Sequence, residues 1–293
     1  MKKSLIIAFF SLLLFNCSNS DEKSDAFGNF EADPVIVSSE SSGKILQLNI
    51  EKGQKIKTGF VTAIIDTGQI NLKLEQIDAQ KTAILSKKQS IQSQIDVFEA
   101  QIKTLKPNEK RIAQMVKDQA ATQKQLDDIT GQINVIEKQI ESTETQFTSV
   151  NNELKVLETQ KETTKDLLAR CTVKSPVGGT ILETYAEQGE LATPGKPLFK
   201  IADLGKLTLK VYVSGAQLPK VKIGQQVNVI IDKSETENQS MEGTVEWISS
   251  EAEFTPKIIQ TKEERVKLVY AVKIAVKNDG TLKIGMPGEI SWQ

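Results

Sequence analysis

The spacing of hydrophobic positions changes character along the chain. From Val37 to Ile65, and again from Val173 to Ile201, apolar residues come in short clusters broken by glycine and polar residues, the pattern of short strands joined by tight turns. Between these stretches the period becomes helical. Ile70, Ile77, Ile84, Ile91, Phe98, Leu105 and Ile112 recur every seven residues, with Leu74, Ile95 and Ile102 at the second seam position. The rhythm resumes in Leu126, Ile133, Ile140, Phe147, Leu154 and Leu168, joined by Ile129, Ile136, Val150 and Leu157. A heptad sustained this long keeps one narrow stripe facing a partner helix and predicts a coiled coil. After Ile201 the period shortens to two: Leu207, Leu209, Val211 and Val213 alternate with polar residues, as do the stretches around Val227 to Ile231 and Val269 to Val276. These read as half-buried strands, punctuated by Gly224, Gly280, Gly285 and Gly288.

The two strand-like stretches are copies of one pattern. At an offset of 136 they match at Val37/Val173, Ser39/Ser175, Gly43/Gly179, Ile45/Ile181, Leu46/Leu182, Glu51/Glu187, Gly53/Gly189, Gly59/Gly195 and Ile65/Ile201. The three glycine pairs are expected to mark tight turns. Neither copy carries enough apolar residues to bury by itself, so the two are expected to face each other and close a small sandwich.

The helical segment must reverse near Lys117 to Ala121, which leaves roughly equal arms of about 46 residues, or about 70 Å each. Equal arms predict an antiparallel hairpin inserted between the halves of the sandwich. Lys81, Lys88, Thr143, Lys161 and Thr164 occupy apolar slots of the seam, where polar residues cost stability and specify register or a looser pairing. Pro107 falls where the heptad phase continues from Leu105 to Ile112, and reads as the first residue of a restarted helix or as a kink.

Charge and composition narrow the function classes. The formal net charge is -1, without the basic face that nucleic-acid binding requires. Aromatic residues make up 5% and charged residues 26%, which suits long solvated helices more than one large core. The sequence has no histidine, which removes Ser/His/Asp and Cys/His nucleophile arrangements and the common zinc and iron sites. Glu51, Glu187 and Asp203 lie in turn-like contexts without the pairing that acid/base catalysis needs. GELATPGKP fails as a phosphate loop, because five residues separate Gly189 from Gly195 and Pro197 stands where a Ser or Thr is required. No enzyme activity, cofactor or metal site is expected.

The N-terminus reads as an export leader: Lys2 and Lys3, the apolar run from Leu5 to Phe15, then Cys17. That run is shorter than the ~20 residues a membrane-spanning helix takes. A cysteine directly after it resembles a bacterial lipobox, with Cys17 as the lipid attachment site, although Asn16 departs from the small residue usual there. A plain signal peptide with an incidental cysteine is the alternative. Residues 18–33 are polar and small, the composition of a flexible tether. Of the two cysteines, lipidated Cys17 would leave Cys171 without a partner, as a small buried apolar residue.

Taken together, VSSESSGKILQLNIEKGQKIKTGFVTAIID, VKSPVGGTILETYAEQGELATPGKPLFKIAD, LTLKVYVSGAQLPKVKIGQQVNVII and LKIGMPGEISW resemble the HlyD/AcrA/MacA-type membrane fusion proteins, the periplasmic adaptor subunits of Gram-negative exporters. The resemblance implies an elongated α+β fold: a split lipoyl-like barrel-sandwich carrying an inserted antiparallel α-helical coiled-coil hairpin, followed by a β-barrel. The divisions it implies are a lipoprotein leader at 1–17, a tether at 18–33, lipoyl-like halves at 34–67 and 170–204 flanking a hairpin at 68–169 with its tip near 117–121, and a barrel at 205–293. A true lipoyl carrier would display a modifiable lysine where the hairpin is entered at Asp66-Thr67-Gly68, so no covalent cofactor is expected.

The partners implied are an inner-membrane transporter and a TolC-like outer-membrane channel, with the adaptor a homo-oligomer, a hexamer by resemblance, in the periplasm and lipid-anchored to the inner membrane. EAEFTPKIIQTKEERVKLVYAVKI is similar to a segment of adaptors that pair with ABC exporters, which favours that class over proton-driven pumps. The family's tip motif, an Arg, a Leu four residues on and a Ser seven further, is met here by Arg111, Met115 and Thr122 as expected channel-docking residues. Gln188 falls in a loop that lines the central channel in some adaptors. A periplasmic coiled-coil tether that moves no cargo, and a lipoyl-like group carrier, are the readings from other classes.

Overall fold

The computed structural model describes residues 24–234, 237–254 and 268–292. The export leader with Cys17, and most of the stretch similar to ABC-linked adaptors, lie outside them. The described chain is a barrel-sandwich split by a helical hairpin and followed by a closed β-barrel, the architecture expected from the sequence.

The sandwich consists of β2 (Val35–Ser38), β3 (Gly43–Leu48), β4 (Lys55–Ile56) and β5 (Val61–Ile65) from the first half of the repeat, and β6 (Thr172–Lys174), β7 (Gly179–Thr184), β8 (Leu191–Ala192) and β9 (Pro197–Ala202) from the second. The halves do not face each other as separate units. They interlock: one four-stranded sheet runs β2-β9-β7-β4 and the other β6-β5-β3-β8, so each contains two strands from each half. Shifting every strand by the 136-residue offset turns the first order into the second.

The hydrogen bonds obey the same symmetry. Gly53 N–H donates to the Ile181 carbonyl and Gly189 N–H to that of Ile45, both at 2.8 Å; Gly59 N–H donates to Ser175 O and Gly195 N–H to Ser39 O, again both at 2.8 Å. Buried Ser39 and Ser175 each donate a hydroxyl to a carbonyl two residues on, at 2.7 Å. Ile45, Ile65, Ile181, Ile201 and Phe199 fill the space between the sheets, each contributing about 1.5–3 kcal/mol on burial.

The glycines serve two purposes. Gly53 and Gly189 adopt φ of +87° and +97° in equivalent turns, where a side chain is strained. Gly43 and Gly179 instead open strands rather than turns; space demands glycine at both, and at Gly43 a φ of +157° adds to it. A Cβ on Gly179 would lie 2.3 Å from the Ala202 carbonyl oxygen, and one on Gly43 2.8 Å from Ile65 Cγ2.

From β5 the chain enters α1 (Gly68–Lys117) and returns along α2 (Gln123–Arg170). At 1.5 Å per residue each arm is about 70–75 Å long. Pro107 neither restarts nor ends α1, which is continuous from Gly68 to Lys117. The seam buries Ile77, Ile95, Ile129, Ile133, Val150, Leu154 and Leu157. Every polar residue in an apolar slot is satisfied. Lys81 reaches Glu158 at 3.0 Å, Lys161 pairs with Asp78, and the Lys88 ammonium sits 5.0 Å from the centroid of the Phe147 ring. Buried Thr143 and Thr164 donate their hydroxyls to the carbonyls of Gln139 and Gln160 one turn back, at 2.7 and 2.8 Å. Amphipathic lysines at the seam thus cover apolar surface with their stems while their charges meet carboxylates or a ring of the opposite helix.

The barrel is closed by β1 (Ala26–Glu31), β10 (Lys206–Ser214), β11 (Gln226–Asp232), β12 (Asn238–Ile248), β14 (Leu268–Lys277) and β15 (Pro287–Trp292), with short β13 (Glu253–Phe254) added to the far end of β14. The β10–β14 pairing closes the circle, so no long edge is left open. Alternation places Phe30, Leu207, Leu209, Val211, Val213, Val229, Ile274 and Ile290 inside, all at most 1% exposed. β1 falls within the stretch 18–33 expected to be a tether and outside the 205–293 expected for the barrel, yet it pairs with β10 and β15 as a barrel strand, so two crossings, residues 32–34 and 203–205, link the domains.

Candidate docking site at the hairpin tip

Local sequence dictates the reversal at the tip. α1 ends at Lys117, and Asp118 and Gln119 send their amides back to the carbonyls of Gln114 and Val116 at 3.0 and 3.1 Å. Gln119 takes φ of +58°, the left-handed conformation that turns the chain out of the helix. Ala120 N–H then closes on Met115 O at 2.7 Å. Thr122 starts α2 as its N-cap: its hydroxyl accepts from the Gln125 amide at 3.3 Å, and the Gln125 side-chain oxygen accepts from the Thr122 amide at 2.9 Å. This is a reciprocal capping box.

Arg111 and Met115 are one turn apart on α1 and share a face. The Arg111 guanidinium is exposed and donates to the Asn108 side-chain oxygen at 2.7 Å. Met115 is 41% exposed and lines a shallow groove of about 320 Å³ between the arms, together with Ile112, Ala120, Ala121 and Ile129. Arg111 stands beside this groove without lining it, and Asn108 connects the two. Gln125, Asp128 and Gln132 give the groove a polar flank. The arrangement offers an adaptable thioether in a small recess that is part apolar and part polar, with a guanidinium next to it that can fork onto carbonyls or a carboxylate. Thr122 is drawn into the cap, so its hydroxyl is committed to the fold of the tip.

At the other end of the hairpin, Arg170 closes α2. Its Nε donates to Asp166 at 2.7 Å and its Nη1 to Glu40 at 2.9 Å, and the hydrogen bond and charge of Asp166, with the charge of Glu40, raise the guanidinium pKa further. Ser41 adds a hydroxyl to the Leu167 carbonyl at 3.4 Å. These contacts fix the hairpin on the first half of the repeat. Sequence reading missed them, because nothing in the spacing of Glu40 and Arg170 signals contact. Buried Cys171 beside them has a free thiol directed to Leu167 O at 3.5 Å. Gln188 is exposed in the turn between β7 and β8, in the domain at the hairpin base. Among the described residues no cluster of His, Cys, Asp and Glu gathers as a metal site, and no helix is long and apolar enough to cross a membrane.

A sandwich split by a helical hairpin and joined to a closed barrel defines the adaptor architecture. Residues 33–204 match the family model described as the barrel-sandwich hybrid domain of RND membrane fusion proteins, and the chain belongs to the membrane fusion protein family. The solved structure of MacA from Actinobacillus actinomycetemcomitans is similar in fold, at 22% identity over 90% of this chain and 76% of that one, with a TM-score of 0.63. A MacA chimera carrying the Pseudomonas aeruginosa MexA α-hairpin is similar at 21% identity over 90% of this chain and 76% of the chimera, with a TM-score of 0.51. Among curated sequences, a UPF0194 membrane protein of Acidithiobacillus ferridurans is 32% identical over 39% of this chain and 33% of its own length, and one of Yersinia enterocolitica is 32% identical over 40% and 35%. The chain spans about a third of the length of these relatives.

Proposed function

We propose that this protein is the periplasmic adaptor of an exporter, lipid-anchored to the inner membrane through Cys17 and linking an inner-membrane transporter to a TolC-like outer-membrane channel. The observation that carries the reading is the hairpin: paired helices of 50 and 48 residues, tied to a sandwich at one end through Arg170 and Ser41 and bearing at the other an open groove of mixed apolar and polar lining. Such an arm suits contact at a distance. Six copies side by side would bundle their hairpins into a tube, with cargo passing along the axis and the energy supplied by the transporter.

Arg111 and Met115 are the residues assigned to channel docking. Thr122 supports docking by holding the turn, and Gln188 is assigned to the channel lining. The long arms favour an ABC-type transporter, whereas the matched family model carries the RND class of proton-driven pumps in its description.

Affinity isolation of the tagged protein from gently solubilised envelopes, with mass spectrometry of co-purifying proteins, tests the reading and the partner class together. Recovery of an ABC transporter with an outer-membrane channel supports both. An RND pump in its place overturns the partner class, and recovery of neither partner overturns the adaptor reading.

A further inference from the structure

The barrel wall built by β1, β10, β14 and β12 carries a surface that docking at the hairpin tip does not use. Strand register brings Phe27 directly opposite Tyr212, Lys210 opposite Lys273, and Lys273 opposite Trp247. A register shift between Val245 and Trp247 bends β12 and leaves Glu246 and Trp247 both exposed. Phe27 is 58% exposed, Trp247 42%, and Phe254 at the end of β13 71%. Each lysine lies over a ring: Lys210 is 5.3 Å from the centroid of Tyr212 and Lys273 5.7 Å from that of Trp247.

Two features of this wall are costly for a surface facing only water. Large rings are left uncovered, and two lysines stand directly across a strand pair, where like charges repel. Glu253 meets Lys210 at 3.4 Å, but among the described residues no carboxylate pairs with Lys273. Exposed rings flanked by lysines, whose stems are apolar and whose tips are cationic, match the headgroup region of a bilayer, where aromatic rings settle at the interface and lysine ammoniums reach outward to phosphate.

Chain length says why a bilayer is the occupant. β1 runs from Ala26 toward the sandwich, so Phe27 lies at the end of this wall remote from the hairpin. Cys17, the anchor of the reading above, stands nine positions before Ala26. At no more than about 3.6 Å per residue, those positions hold the start of β1 within about 30 Å of the membrane. Asp25 is pinned to the barrel rim: its amide donates to Ile290 O at 2.8 Å, and its carboxylate accepts from the Trp292 amide at 2.9 Å.

We propose that this aromatic and lysine wall rests on the inner-membrane surface, with Phe27, Trp247 and Phe254 at the interface and Lys210 and Lys273 among the lipid phosphates. The inference rests on the anchored-adaptor reading for its geometry, yet it is a property of the barrel itself and can be separated from the anchor.

Residues 18–293 retain every described element and lack the leader and the acylated cysteine. This form is to be sedimented with vesicles of phosphatidylethanolamine and phosphatidylglycerol, beside a Phe27→Glu/Trp247→Glu variant whose unchanged melting temperature shows that it folds. Exposed Phe254→Glu serves as a second variant remote from the barrel core. The expected result is binding by the parent and a loss of about tenfold or more in partitioning for each variant. Equal partitioning of parent and variants, or none by either, overturns the proposal. The latter result, combined with co-isolation of the transporter that is lost in the same variants, would assign the wall to a protein partner instead. Intact mass of the membrane-extracted protein separately reads acylation of Cys17: its absence alongside vesicle binding removes the anchor and leaves the docking wall standing.

Discussion

The Gly189 amide donates to the carbonyl of Ile45 at 2.8 Å, tying the second half of the repeat to the first, and the Gly53 and Ile181 pair repeats the bond at the same length 136 residues out of phase. The sandwich is therefore one cooperative unit made from both ends of the hairpin. Gly189→Ala meets no neighbour within 4 Å and is opposed only by its backbone φ, a cost of about 1–2 kcal/mol. Gly179→Ala drives a Cβ to 2.3 Å from Ala202 O and is expected to cost more, about 3 kcal/mol. Denaturation midpoints of the two variants check the ranking; equal losses would remove the steric account of Gly179.

The seam lysines predict a gain in stability on substitution. Lys88 is held over Phe147 without a carboxylate partner among the described residues, and leucine in that slot would restore the heptad. Lys88→Leu is expected to raise the stability of the hairpin by about 1 kcal/mol, read as a higher melting temperature by circular dichroism at the helical band. Phe147→Ala is expected to lower it by about 2–3 kcal/mol, since the ring is packed in the seam.

Thr122 separates folding from docking at the tip. Thr122→Ala removes the cap and is expected to cost about 1 kcal/mol. Thr122→Asp keeps a cap acceptor at the start of α2 and is expected to retain stability. If export survives the aspartate variant and falls only with alanine, the residue works by shaping the turn; failure of both, with the aspartate variant stable, would give its hydroxyl a direct part in docking.

Acid is expected to weaken the sandwich by removing charge-assisted pairs. The Lys196 ammonium donates to Glu190 at 2.8 Å, and this hydrogen bond, followed by the lysine charge, holds the carboxyl below its ordinary value of 4.5. Glu183 is lowered likewise, first by the Tyr185 hydroxyl and then by the Lys200 charge. A carboxyl depressed in the folded state contributes stability that is complete above its unfolded pKa and lost as pH falls through the folded value. Melting temperature should fall below about pH 4.5 and fall less steeply in Glu190→Gln. With no histidine in the chain, it should stay nearly level from about pH 5.5 to 7.5.

Much of this was legible in the sequence, for identifiable reasons. The heptad of Ile70 through Ile112 and its return through Leu168 declared the hairpin, and the glycine-registered copies declared a split sandwich. Alternation in Leu207 to Val213 declared barrel strands. Partnership stayed hidden, because period reports which face of an element is apolar and not what lies opposite. The interlocking of the two sheets, the Lys81–Glu158 and Arg170–Glu40 pairs, and the gathering of Phe27, Tyr212 and Trp247 on one wall all depend on strand or helix register. Of the two readings of Pro107, a restarted helix is set aside by the continuous α1, because the lost amide of one residue is a small deficit in a helix of 50 residues held by a partner along its length.

The central claim is that the hairpin tip meets an outer-membrane channel. A photo-crosslinking amino acid at Met115, with the same probe at Val156 on the flank of α2 as reference, tests it in intact cells; both positions are exposed, at 41% and 66%. The account predicts an adduct between the Met115 probe and a channel protein, absent from Val156 and lost when Arg111→Asp is added. No channel adduct at Met115, or equal adducts from both positions, would contradict it.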